Sequence, residues 1–182
     1  MPNLCSALEA VLKNCDNNTG GIYQAWVIAM DELDVVTENT TFPNYEVTAI
    51  TTLGSPAAQF VNLFVRRNTS NYTEDTAADL INGSTFVTQT VNLVFQRREM
   101  AKSYALKILG SGQQYLSVVV LDANGKYWYF PFMQLTATGE GSGTARADGS
   151  KYTVTTVSEN EQLAMEVNLT GGSAAYTALG LV

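Results

Sequence analysis

Among the side chains that could do chemistry are 17 carboxylates, and seven of them gather in two places. Asp31, Glu32, Asp34 and Glu38 form one cluster, and Glu74, Asp75 and Asp79 form the other. Two carboxylates can cleave a glycosidic bond when one is held protonated and the other ionised, and several together can chelate Ca²⁺. Neither cluster has the Asp-x-Asp-x-Asp-Gly spacing of a calcium loop. Both lie in polar, loop-like stretches where acids are expected to stay solvated. The run Gly139-Glu140-Gly141-Ser142-Gly143 suggests a phosphate cradle, but no Gly-Lys-Ser/Thr follows and no apolar helix starts after it. A long hairpin loop is expected there instead. Cys5 and Cys15 are the only cysteines, and histidine is absent. That excludes a Ser-His-Asp triad, a Cys-His nucleophile pair and any His-ligated or four-cysteine metal site. No catalytic residue, metal or cofactor is expected.

The paired cations, Arg66-Arg67 and Arg97-Arg98, each close a long expected strand. In a chain with 10 basic and 17 acidic residues, net −7, bridges to the acid-rich loops of a neighbouring molecule suit them better than a phosphate site. The aromatic run Tyr127, Trp128, Tyr129 and Phe130 alternates on a strand, so Tyr127 and Tyr129 share a face opposite Trp128 and Phe130. One face is expected in the core. The other is a binding surface or a subunit contact, with core packing the default.

The elements that must carry these residues are mostly strands. Residues 6–13 form a short helix, with Ser6 and Glu9 as a capping box. Residues 22–30 are largely apolar on both alternating faces, as in a strand buried on two sides or one lying between a core and a neighbouring subunit. Residues 31–43 read as a loop, 46–53 as a strand, 60–67 as a strand and 68–83 as a turn-rich connection. Residues 85–97 carry the strongest pattern. Val87, Gln89, Val91, Leu93 and Phe95 make a mostly core face, against Phe86, Thr88, Thr90, Asn92, Val94 and Gln96, which are mostly polar yet uncharged. At about 3.3 Å per residue such a strand is roughly 40 Å long, and a hairpin of that length should overhang a small domain and pair with something outside it.

Residues 99–109 turn helical, with Ala101, Tyr104, Ala105, Ile108 and Leu109 as the apolar stripe and Gly110 as the stop. Asn124-Gly125 then joins two apolar runs in a hairpin. A glycine-rich loop over residues 139–150 precedes a strand at 152–157. The whole is a single domain over residues 1–182, with an N-terminal helix or arm at 1–20 and a tail at 169–182 that is flexible or docked on a neighbour. Charged residues make up only 15% of the chain, where about 25% is usual. Thr, Asn, Ser and Gln take their place, as on a surface covered by copies of the same chain. No 18-residue apolar run exists to span a membrane. Without a basic segment and apolar run at residues 1–5, the chain is expected to stay in the cytosol during synthesis, with both thiols reduced.

A set of short words in a fixed order completes the pattern. Cys15 is followed by Gly20-Gly21-Ile22, then Tyr72-Thr73-Glu74 and Phe86-Val87-Thr88-Gln89-Thr90-Val91. After the helix come Asp122-Ala123-Asn124-Gly125-Lys126-Tyr127-Trp128 and Lys151-Tyr152-Thr153-Val154-Thr155. Over residues 15–168 this order resembles the tail-tube-like structural proteins of tailed phages and prophages of Bacteroidales. The resemblance implies a mainly β fold: a β-sandwich or half-barrel with a long hairpin and one flanking α-helix.

The function it implies is that of a virion protein, assembled in the bacterial host cytoplasm into a homo-oligomeric ring or tube such as a hexamer or dodecamer. It would contact other tail or portal/connector proteins, with DNA passing through the channel as cargo that does not stick. On that reading Thr88, Thr90, Asn92 and Gln96, with Asn62 on the partner strand, face the lumen. Arg66, Arg67, Arg97, Arg98, Tyr127 and Tyr129 sit at subunit interfaces. The competing reading is a binding module, either a phage head-decoration or fibre domain or a secreted carbohydrate-binding β-sandwich.

Overall fold

A computed structural model describes residues 18–41, 44–54, 57–65, 69–79, 81–111, 114–145 and 149–169, together with Thr177 and Leu179. The expected N-terminal helix and Arg66 and Arg67 lie outside these residues. The fold is mainly β, as expected. Its strands are β1 (Ile22–Ala29), β2 (Leu33–Asn39), β3 (Glu46–Thr52), β4 (Val61–Leu63), β5 (Asn71–Asp79), β6 (Ser84–Gln96), β7 (Leu116–Asp122), β8 (Tyr127–Gly141), β9 (Lys151–Asn160) and β10 (Met165–Val167). One α-helix, α1 (Met100–Ser111), stands among the described residues between β6 and β7.

The strands form two sheets that share β8. The first runs β2-β3-β10-β8-β7-β1-β4 and curls into a half-barrel, with β10 and β3 its parallel pair. The second runs β5-β6-β9-β8, antiparallel throughout. The N-terminal part of β8 pairs with β7 up to Met133, and from Gln134 onward it pairs with β9. The changeover falls at Pro131-Phe132, where the register with β7 shifts and Phe132 takes φ +53. A proline tolerated at a bulge and one left-handed residue turn the strand from one sheet into the other, which is how sandwich corners are made.

Two apolar cores follow from this shared strand. One lies between the sheets and gathers Ala25, Val118, Val120 and Phe130 of the first with Val91, Leu93, Phe95 and Tyr152 of the second. The other fills the hollow of the half-barrel with Trp26, Ile28, Val47, Ile50, Val119, Tyr129 and Val167. The centre of the first sheet is therefore covered on both faces, which is why residues 22–30 are apolar on both. A bulge between Ile22 and Gln24 moves Ile22 onto the face of Ala25.

Several expectations change. Residues 31–39 are not a loop: a short 3-10 turn at Met30–Glu32 leads into β2, which runs to Asn39. The partner strand of β6 is β5, inside the stretch expected to be turn-rich, and of the expected strand at 60–67 the described residues 60–65 hold a strand at Val61–Leu63. Asn62 is consequently absent from the hairpin; it lies opposite Trp26 on β1. In β2 and β5 tertiary pairing overrides the turn-forming tendency of Asn and Asp, while their Thr residues suit an extended backbone.

The β6 strand has its expected length but little overhang. β9 covers it from Val87 to Gln96 and β5 from Ser84 to Asn92. The glycine run does not loop out as a whole, since β8 continues through Gly141. Gly139 lies opposite Thr153, where a Cβ would stand 2.5 Å from Thr153 Oγ1, so a side chain has no room there. The helix is rotated from its expected face. Leu106 packs on the inter-sheet core, whereas Ala101, Tyr104 and Ala105 are exposed. Leu179, in the tail expected to be flexible or docked on a neighbour, is buried in the core of its own half-barrel.

Candidate functional surface

The outer face of the second sheet is built by the alternation of β6 and β9. On β6 the expected inner residues Val87, Gln89, Val91, Leu93 and Phe95 are all buried. Thr88, Thr90, Asn92 and Val94 are half-buried on the opposite face, and Gln96 is exposed. Register extends this face to residues that the sequence reading did not single out. Thr73 of β5 lies beside Thr90, and Thr153, Thr155 and Val157 of β9 lie beside Val94, Asn92 and Thr90. Gln134 of β8 follows beside Val157. Thr155 Oγ1 donates to Asn92 Oδ1 at 2.8 Å, so the polar groups of neighbouring strands satisfy one another along the surface. Its charges sit at the margins: Asp75 on the outermost strand, Lys151 and Glu159 at the two ends of β9. The signal for β9 was present in the sequence as the alternation Thr153, Thr155, Val157 against Tyr152, Val154, Thr156; only pairing shows that the two strands share one face.

The inner face is secured by a polar knot. Gln89 is 0% exposed. Its Nε2 donates to Glu74 Oε1 at 2.9 Å and to the Gln162 carbonyl at 3.2 Å, while Oε1 accepts from Ser158 Oγ at 3.1 Å and Asn160 Nδ2 at 2.7 Å. Ala164 N–H also donates to Glu74 Oε1, at 2.6 Å, and the Tyr45 hydroxyl donates to the Leu163 carbonyl at 2.8 Å. Glu74 was expected to be a solvated acid. Instead it pins the connection between β9 and β10 to the sandwich. The other acids of its cluster, Asp75 and Asp79, lie farther along β5. Among the described residues no three metal-ligating side chains converge.

Of the remaining sites, Tyr129 is a correction: it is 2% exposed and packs in the half-barrel core, where no partner can reach it. Burial raises its phenol pKa above the usual value. Tyr127 is half-buried with its ring centre 5.6 Å from that of Trp26. Trp128 and Phe130 face the inter-sheet core, so both faces of the aromatic run are packed. Trp128 Nε1 donates to Asp122 Oδ2 at 3.0 Å, and Asp122 Oδ1 accepts from the amides of Asn124 and Lys126. That carboxylate shapes the Asn-Gly turn, in which Gly125 takes φ +80. Arg97 and Arg98 are exposed, and their backbone amides donate to the Ser150 carbonyl and to Ser150 Oγ.

No known protein family matches the chain, and no curated protein is similar to it in sequence. The outer face of the second sheet is broad, mostly polar and nearly uncharged, with Phe86, Val94 and Val157 as apolar members, and it is bordered by two strand edges. Among the described residues no strand pairs with the outer edge of β5, nor with the outer edge of β8 beyond Gln134.

Proposed function

We propose that the chain is a structural subunit of a phage tail that self-associates through its second sheet into a ring or tube with a channel for the genome. One observation carries the reading: a four-stranded antiparallel sheet, packed on one face and mostly polar on the other, has no strand paired at either outer edge among the described residues. Exposed edges invite pairing with another chain, and closing a sheet into a barrel removes them. The strand directions suit closure. Successive strands alternate from β5 through β6 and β9 to β8, so β5 runs opposite to β8. A rotated copy that brings its β5 beside β8 therefore makes an antiparallel joint, and the joint repeats around the ring.

The polar face would then line the channel. Affinity for nucleic acid comes chiefly from Lys and Arg that release counterions from phosphates. A wall of Thr, Asn and Gln in a chain of net charge −7 offers few such contacts, so DNA would slide past it. Other tail or portal proteins are the partners this reading implies. Negative-stain microscopy with sedimentation of the purified protein tests it. Rings or tubes are expected; a monomer at every concentration, above all one that binds glycans, would favour the binding-module alternative.

A further inference from the structure

Two exposed apolar features of this chain lie at places that the proposed joint would bring together. The first is the turn between β5 and β6. Asp79 Oδ1 accepts from the amides of Ile81 and Asn82 at 2.9 and 3.2 Å, and the Asp79 carbonyl accepts from Gly83 N–H at 2.8 Å. This fixed turn holds up Ile81, which is 95% exposed. In the single chain Ile81 therefore buries almost none of its apolar surface, which leaves that surface free for a contact with another molecule.

The second feature is a groove of about 570 Å³ at the corner where β8 changes sheets. Tyr115 and Phe132 wall it over a mostly polar floor that includes Gln134, Thr136 and Glu159 beside Val157. The two rings stand edge to face, 6.1 Å apart, and each residue is about half exposed, 52% and 51%. Phe132 is also the residue at φ +53. The left-handed region is unfavourable for a side chain with a Cβ, and such strain gathers where a side chain is presented for use.

The geometry points to Ile81 of one copy inserting into the Tyr115–Phe132 groove of the next. The inference rests on the proposed ring. In the antiparallel joint, the C-terminal end of β5 lies against Gln134, the start of the free edge of β8. The turn that follows β5 then arrives beyond Gln134, at Phe132 and Tyr115. The occupant is thus a second copy of this chain, and the groove continues the strand joint by offering its Tyr115–Phe132 ring pair to one aliphatic side chain.

Sedimentation of wild type, Ile81→Ser and Phe132→Asn tests this. Ile81 is solvated in the single chain and asparagine tolerates the left-handed backbone, so both variants should fold, as circular dichroism would verify. Each is expected to weaken assembly by about tenfold or more, the cost of leaving one aliphatic side chain unburied. In a Cys5→Ser, Cys15→Ser background, Ile81→Cys with Tyr115→Cys should cross-link into ladders under mild oxidation. Assembly at wild-type strength in both variants, without ladders, would overturn this contact while leaving the ring intact. A wild type that stays monomeric at every concentration would overturn the ring and the contact together.

Discussion

The Gln89 amide nitrogen lies 2.9 Å from Glu74 Oε1, joining the middle of β6 to β5 within a buried polar knot. Every polar atom of the Gln89 side chain is satisfied, by Glu74 and the Gln162 carbonyl on one side and by Ser158 and Asn160 on the other. Gln89→Leu would preserve approximate volume but strand these partners. A loss of about 2–3 kcal/mol in unfolding free energy is expected, the cost of leaving buried polar groups unpaired. Urea denaturation measures it, and a change below about 0.5 kcal/mol would show that water replaces the glutamine.

The helix start depends on one hydroxyl. Tyr152 OH accepts from Glu99 N–H at 3.0 Å and lies 2.6 Å from Ser103 Oγ and 3.0 Å from the Glu99 carbonyl. Tyr152→Phe retains the ring in the core and removes these bonds. Stability should fall by about 1–2 kcal/mol. Amide exchange over the first turn of α1 should rise well before exchange in β6, which distinguishes local fraying from global loss.

Alkaline pH should loosen the sandwich through Tyr72. Burial, and next the nearby carboxylates of Asp122 and Glu74, push its phenol up to about 12 from 10.0. The folded state therefore holds the proton more tightly than the unfolded chain does. The stability this represents is fully present below pH 10 and is lost as pH rises from there through about 12. Tyr72→Phe, which retains the ring contact with Phe130 at 5.3 Å, should flatten that part of the stability curve. An unchanged slope in the variant would assign the alkaline loss to other tyrosines.

Asp122 predicts a spectroscopic change. Its carboxylate accepts from Trp128 Nε1 and from two amides of the turn. Asp122→Ala should cost about 2–3 kcal/mol, and it should shift Trp128 emission as the indole loses its partner. If emission and urea midpoint both stay as in wild type, the turn is held by Gly125 and the strand pairing alone.

Local pattern carried much of this fold. The alternation of Val87, Gln89, Val91, Leu93 and Phe95 is enough to place β6 and its inner face, and Asn124-Gly125 is enough to place the β7–β8 hairpin. The double-sided apolarity of residues 22–30 foretold a strand between two cores. Strands β2 and β5 were not legible. Their Asn and Asp residues suit turns, and it is pairing with β3 and β6 that makes these segments extended. The helix face was misjudged for a related reason. Ala101, Tyr104 and Ala105 look apolar, but the helix docks through Leu106, and Tyr152 anchors its start.

By itself the sequence determined the strand-forming periods, the absence of histidine chemistry, and a Thr-rich face on β6, because each is a property of residue type and spacing along one segment. The tertiary structure alone decided that Thr153 and Thr155 join that face, that Tyr129 is core, and that Asn62 stands apart. It also decided which strand edges stay open. These depend on register and on the bend of β8 at Phe132, which arise between segments distant in sequence.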